Sequence, residues 1–224
     1  MIFLKESEKM LFLHNPEATE KALEILRKGD HFNLYVIFLL VVVLYIYFSE
    51  FNKKNYKAIA AGLTLYGIHW FAEIINAIIQ HVSGHALWTV PDGTAYLIFV
   101  GVGIELSLMF AIAGIVQSKL LPDNPKEKMF SLGRFNVPKP LAIGIGNALL
   151  ASIIEIFLIF TNTFVWVWEW WNAATVFIFV YIPFFVVSAY SYYWKPKTQR
   201  NVILLLVLVN VVLVIIFGFI LGWI

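Results

Sequence analysis

Five polar residues, Tyr66, His69, Glu73, Asn76 and Gln80, punctuate an otherwise apolar stretch of the sequence. On a helix their spacing places all five along one stripe. Two further glutamates, Glu105 and Glu155, stand inside other long apolar runs. Carboxyl and imidazole groups in an apolar setting are the usual instruments of proton transfer. A carboxyl there is biased toward its protonated form and can donate near neutral pH, and a close second carboxyl tends to share that proton. His69, Glu73, Glu105 and Glu155 are therefore the candidate catalytic residues. Tyr66, Trp70, Asn76 and Asn147 are the candidate substrate-binding ones.

Whether these groups are wet or buried depends on what surrounds the chain. It has 224 residues, of which 61% are hydrophobic and only 13% charged. Soluble domains carry about 25% charged residues, so the deficit assigns an integral membrane protein. An ionisable group inside a span is costly there and is expected to face inward. A net charge of +2 gives no reason to expect nucleic acid as a partner. The absence of Cys excludes disulfides, thiolate metal sites and Cys nucleophiles. The opening residues lack the basic region of a signal peptide.

Six apolar segments predict an all-α helical bundle of six transmembrane helices, at about 34–49, 57–80, 94–117, 140–161, 173–193 and 201–223. They make up a domain over 31–224, preceded by an amphipathic, interfacial segment over 1–30. In that segment Asn15 reads as a helix N-cap, Pro16 as the first helical residue, and Arg27, Lys28 and Gly29 as the helix end. Basic residues follow the first, third and fifth spans, including Lys53, Lys54, Lys57, Lys119, Lys126, Lys139, Lys195 and Arg200. Loops 81–93 and 162–172 contain none. The positive-inside rule makes the three basic loops cytoplasmic, in a multi-pass protein of the cell membrane. Trp88, Trp166, Trp168, Trp170 and Trp171 then read as an outer aromatic belt, and the two loops without Lys or Arg as a cap over the site. Pro91, Asp92 and Gly93 predict a turn, with Thr94 capping the next helix. The proline-bearing loop 119–139 reads as a solvated linker.

Depth follows from the helical rise. Counting about 1.5 Å per residue from the nearest lysine places His69 about 18 Å into the membrane, Glu105 about 21 Å, and Glu73 and Glu155 about 24 Å. The four groups share one level and are expected to pair. Asn147 and Glu155 are close in helical phase. Gly101, Gly103, Gly144 and Gly146 are expected to let the third and fourth helices approach closely.

The segment His69-Trp-Phe-Ala-Glu73, the single Glu105 and the later pair Asn172-Ala173 resemble the emopamil-binding, EXPERA-type sterol isomerases. Those proteins carry His-x-x-x-Glu on the second span, one Glu on the third, and Asn-Ala early in a later span. The resemblance implies proton transfer by His69, Glu73 and Glu105 in a double-bond shift. It covers about half the chain in outline, and Glu155 has no counterpart in it. The same residues admit other readings. His69, Glu73, Glu105 and Glu155 offer oxygen and nitrogen ligands to a metal, and His81 and His85 a His-x-x-x-His pair. Buried Glu and His groups also form the proton relays of transporters and channels. In a non-catalytic membrane subunit they would serve only as interhelical hydrogen bonds. The sequence names no cofactor. The expected partner is a membrane lipid or another apolar small molecule. Gly218 and Gly222 form a GxxxG pattern that would serve a homo-oligomer. The run Trp70, Glu73, Asn76 recurs in spacing as Trp166, Glu169, Asn172, which reads as coincidence rather than an inverted repeat.

Overall fold

The computed structural model describes residues 13–30, 32–132 and 135–224. Among these residues seven helices follow in order: α1 (Glu17–Ile25), α2 (Tyr35–Asn52), α3 (Tyr56–Ser83), α4 (Ile104–Ser118), α5 (Lys139–Phe160), α6 (Ala173–Ser191) and α7 (Pro196–Ile220). Six short strands lie between them: β1 (Trp88–Thr89), β2 (Leu97–Phe99), β3 (Val102–Gly103), β4 (Lys128–Leu132), β5 (Phe135–Pro138) and β6 (Val165–Trp166). The protein is an all-α membrane bundle. Helices α2, α3, α5, α6 and α7 are each long and apolar enough to cross a bilayer.

The third predicted span is different. Only its second half is helical, and the 15 residues of α4 rise about 22 Å, short of a full crossing. Residues 94–103 fold instead around the hairpin β2–β3, where Leu97 pairs with Gly103 and Phe99 with Val102. Leu97, Phe99, Val100 and Val102 are all buried. Irregular backbone at membrane depth survives only when protein covers it, and this hairpin is covered. The bundle therefore has five full spans and one shorter helix, not six equal ones. Thr94 does not cap α4, which begins ten residues later.

Helix α3 is the centre: half of its apolar window is buried, against none of α7. Its small residues Ala58, Ala60, Ala61 and Gly62 are all buried. A Cβ on Gly114 of α4 would stand 2.6 Å from the Ala61 carbonyl oxygen and 2.8 Å from the Gly62 Cα, so only glycine fits that crossing. Gly144 of α5 packs in the same way on the backbone of Val186 in α6. The small residues thus join α4 to α3 and α5 to α6. They do not join α4 to α5, which diverge. Of the other glycines expected there, Gly101 and Gly103 lie in the hairpin and Gly146 faces open space. Hydroxyl and amide groups tie further helix pairs: Tyr47 of α2 donates to the Ala111 carbonyl of α4 (2.7 Å), Ser188 of α6 to that of Ala61 in α3 (3.0 Å) and Gln117 of α4 to that of Phe185 in α6 (2.9 Å). At the basic end the buried Glu50 carboxylate is met by Lys119 at 2.5 Å and by the Asn55 amide at 2.7 Å.

Several local expectations change. Loop 119–139 is a β4–β5 hairpin rather than a linker, closed by the Lys139 N–H to the Glu127 carbonyl (2.7 Å) and by the Lys139–Glu127 ion pair (2.9 Å). Asn15 does not cap α1; its amide donates to the Trp166 carbonyl (3.0 Å), and Pro16 precedes the first helical residue. The N–H groups of His14 and Asn15 both reach the Val167 carbonyl, so this segment is tied to the loop above α5 and α6. Residues 1–12 of the expected interfacial segment lie outside the described residues. Helix α3 ends at Ser83 with Gly84 left-handed (φ 83°), so His81 and His85 share no helical face. His81 stacks on Trp223 at 4.7 Å instead. Gly222 lies beyond the end of α7 with φ 63°, so it forms no helical GxxxG face with Gly218.

The glycine crossing generates a clear contrast. Gly114→Val should force α3 and α4 apart and cost about 1–3 kcal/mol as an overpacking change. Gly146→Ala should leave thermal unfolding of the purified protein unchanged or slightly raised. Equal unfolding temperatures for the two variants would contradict the packing described.

Candidate functional site

On α3 the polar stripe divides by depth of burial. His69, Glu73 and Asn76 are buried, while Tyr66, Trp70 and Gln80 are half-buried. The Asn76 amide is consumed by backbone: its oxygen accepts the Leu87 and Trp88 N–H groups (2.8 and 3.4 Å), and its nitrogen donates to the Trp88 carbonyl (2.9 Å). This clamps the loop after α3 at Trp88. The Trp88 indole N–H then turns down to both oxygens of Glu73, at 3.2 and 3.1 Å. Gly101 lies directly against this contact; any Cβ there would collide with the Asn76 amide nitrogen and the Trp88 indole nitrogen.

Glu155, on α5, is held in a parallel way. The Trp166 indole donates to one oxygen at 2.5 Å, and the Tyr181 hydroxyl to the other. Trp88 and Trp166 are direct partners in the antiparallel pair β1–β6. Two adjacent strands thus hand one indole N–H each to two carboxyl groups on different helices. Tyr181 is aimed by a widened turn over Phe177–Tyr181, in which the Ile182 N–H reaches back to the Phe177 carbonyl. Pro183 follows and has no N–H of its own to continue the ladder, a setting in which such turns arise.

His69 lies with its Nδ1 3.8 Å from a Glu73 oxygen, and its ring stacks on Phe110 at 4.1 Å with planes 7° apart. Its Nε2 is buried and has no hydrogen-bond partner among the described residues. His69, Glu73, Trp88, Glu155 and Tyr181 surround a chamber of about 30 Å³. A second cavity of about 230 Å³ fills the gap between α4 and α5, with Met109, Val116, Leu150 and Ile154 exposed along it. It continues into a space of about 200 Å³ bordered by Thr94, Glu105 and Thr163. Chamber and cleft share a wall of Leu106, Phe110, Glu155, Phe164 and Tyr181. Apart from Glu155, Asn147 and Tyr181, the cleft is lined by apolar side chains.

Not every predicted residue joins this site. Glu105 is elsewhere: it accepts the Ala95 N–H (2.7 Å) and the Thr94 hydroxyl (2.6 Å), and the Tyr35 hydroxyl bonds it too. Counting depth along a full span misplaced it, because it occupies the first turn of a short helix. Asn147 lines the cleft but donates to the Ile143 carbonyl (2.9 Å), two turns from Glu155. Tyr66 bonds Ser107 (3.0 Å), and Trp70 lies edge-on to Phe99 (5.6 Å); both line a separate cleft toward α7. Among the described residues no three His, Cys, Asp or Glu side chains converge as a metal site, because Glu105 is spent on the hairpin. Nor are the tryptophans a belt. Trp88 stacks on Trp171 (5.6 Å), both are buried, Trp168 donates to the Ala86 carbonyl (2.9 Å), and Trp170 is the exposed one. Asn172 caps α6 in a capping box with Thr175, and Glu169 is exposed, so the spacing echo with α3 has no structural counterpart. The partners that sequence reasoning missed are Trp88, Trp166 and Tyr181; the sole local signal was Pro183 two residues after Tyr181.

The model of an uncharacterized membrane protein family matches residues 16–219. The chain belongs to this family. An uncharacterized protein of Archaeoglobus fulgidus is 39% identical over 213 residues, covering 93% of this chain and 99% of that protein. No solved structure matches. Neither match ties the chain to the EXPERA-type isomerases, and two carriers of that resemblance, Glu105 and Asn172, lie outside the chamber.

The indole–carboxyl contacts can be weighed by a double-mutant cycle. Trp88→Phe should destabilise the protein by about 1–3 kcal/mol, because it leaves a buried acceptor without its donor. Glu73→Gln alongside it should recover part of that loss, with a coupling of about 0.5–3 kcal/mol in unfolding measurements. Strict additivity would show that the two side chains do not depend on each other.

Proposed function

We propose that the protein is a membrane-embedded enzyme that performs acid/base chemistry on a lipid-soluble molecule entering sideways between α4 and α5. The position of Glu155 carries this reading. It borders the apolar cleft on one side and the polar chamber on the other. A molecule lying in the cleft would touch this carboxyl group without leaving an apolar environment. Trp166 and Tyr181 fix its two oxygens, so that the proton is presented in one direction. Glu73 and His69 stand behind it, with no wall on the cleft.

The simplest balanced reaction is a double-bond shift. Glu155 delivers its proton to one end of a carbon–carbon double bond. The carboxylate then removes a proton from the carbon beyond the other end, and the double bond moves by one position. Nothing else is consumed. Trp166 and Tyr181, which donate to its two oxygens, stabilise the charge that appears on Glu155 between the two transfers, and Glu73 and His69 are positioning residues that line the chamber behind it. With the basic loops cytoplasmic, as the positive-inside rule directs, the site lies in the outer half of the membrane.

The test reads proton exchange directly. Protein in vesicles of extracted membrane lipid, incubated in D2O, should place carbon-bound deuterium in a lipid detectable by mass spectrometry. Glu155→Gln should lower the incorporation about 100-fold or more, as loss of a general acid–base does. Glu105→Gln should change it only a few-fold. No incorporation above protein-free vesicles would remove the enzymatic reading. Proton flux across the vesicle wall in its place would favour transport.

A further inference from the structure

Building on that reading of Glu155, we propose that the molecule bound there is electrically neutral, with an apolar body in the cleft and one small oxygen function, a hydroxyl or carbonyl, in the chamber. Phospholipids and other anionic lipids are excluded.

Charge gives the first argument. Among the described residues no Lys or Arg lines the cleft, its extension or the chamber, whereas Glu73, Glu105 and Glu155 do. A phosphate or carboxylate head would meet acids with no counter-charge, in surroundings where like charges repel strongly. The cations are committed elsewhere: at the site's own end Arg27 donates to the Ile98 carbonyl and lies over the Phe99 ring, and Lys21 pairs with Glu17, while at the basic end Lys119 is engaged with Glu50. Size gives the second. About 30 Å³ is room for two or three water-sized groups at about 10–15 Å³ each, so the chamber takes a small oxygen function and not a phosphate or sugar. The third is an unmet hydrogen bond. His69 is 2% exposed, and its Nε2 has no partner among the described residues. Buried polar atoms of this kind are ordinarily satisfied. A neutral imidazole nitrogen can accept from a hydroxyl or donate to a carbonyl, according to its tautomer. The body of the molecule needs only the apolar walls of the cleft, among them Phe110, Phe164 and Met109.

The experiment uses three ligands of one skeleton: farnesol, farnesyl monophosphate and farnesene. Binding to the purified full chain in neutral-lipid nanodiscs is measured by native mass spectrometry. Farnesol should bind about tenfold more tightly than either of the others, the hydrocarbon losing the hydrogen bond and the phosphate meeting the acids. His69→Phe keeps the stack on Phe110 and should abolish the preference for farnesol over farnesene. Equal or tighter binding of the monophosphate would overturn the proposal, and so would a farnesol preference that survives in His69→Phe. The ligand panel on the unaltered protein stands even if the variant fails to fold. The outcome is also separable from the enzymatic reading. Farnesol selectivity without deuterium exchange leaves this site standing and removes the enzyme. Deuterium found in a phosphate-bearing lipid does the reverse.

Discussion

A carboxyl group inside a bilayer must be given hydrogen-bond donors, because lipid offers none and desolvation is costly. Here the donors are indole and phenol groups rather than lysine or arginine: Trp88 on Glu73, and Trp166 with Tyr181 on Glu155. Neutral donors avoid burying a second charge, but they must be brought in from outside the helices. That requirement shapes the tryptophan-rich end of the molecule. Asn76 clamps the first loop, the β1–β6 pair joins it to the second, and Asn15 ties the N-terminal segment to the Trp166 carbonyl. Backbone that would elsewhere be a loose connection is thereby hydrogen-bonded and covered.

The cleft has a different origin. Close helix packing in a membrane depends on small residues, since apolar surface alone gives helices no reason to prefer one another over lipid. Gly62 and Gly114 draw α4 onto α3, while Gly144 draws α5 onto α6. With each helix committed to another partner, α4 and α5 separate, and the space between them is walled by side chains that are indifferent to lipid. The hairpin β2–β3 then occupies the depth that the short α4 leaves unfilled.

Much of this was legible in the chain, for physical reasons. Length and apolarity mark five of the spans, because a membrane demands about 20 apolar residues of any helix that crosses it. The helical phase of His69, Glu73 and Asn76 is read correctly, since all three lie on one uninterrupted helix. Depth counting brings Glu155 to the level of Glu73 because α5 is continuous from Lys139. The same arithmetic fails for Glu105, where hydropathy could not distinguish a helix from a buried hairpin containing Gly101 and Gly103. The pairing of Trp88 with Trp166 joins residues 78 positions apart, and no local pattern reports it. Their tryptophans look like surface anchors because that is where most tryptophan near a membrane boundary is found.

The β1–β6 pair is only two residues long on each side, yet it decides which way both indoles point. Side chains alternate across a strand, so sliding one strand by a single residue would turn its tryptophan from the carboxyl group to the opposite face. Connections at the edge of a membrane bundle are normally the places where sequences gain and lose residues freely. In this protein the distance in residues from Asn76 to Trp88, and from Glu155 to Trp166, is a measured span rather than slack. These two loops keep time for the site beneath them, and an insertion of one residue would disarm it as surely as replacing a glutamate.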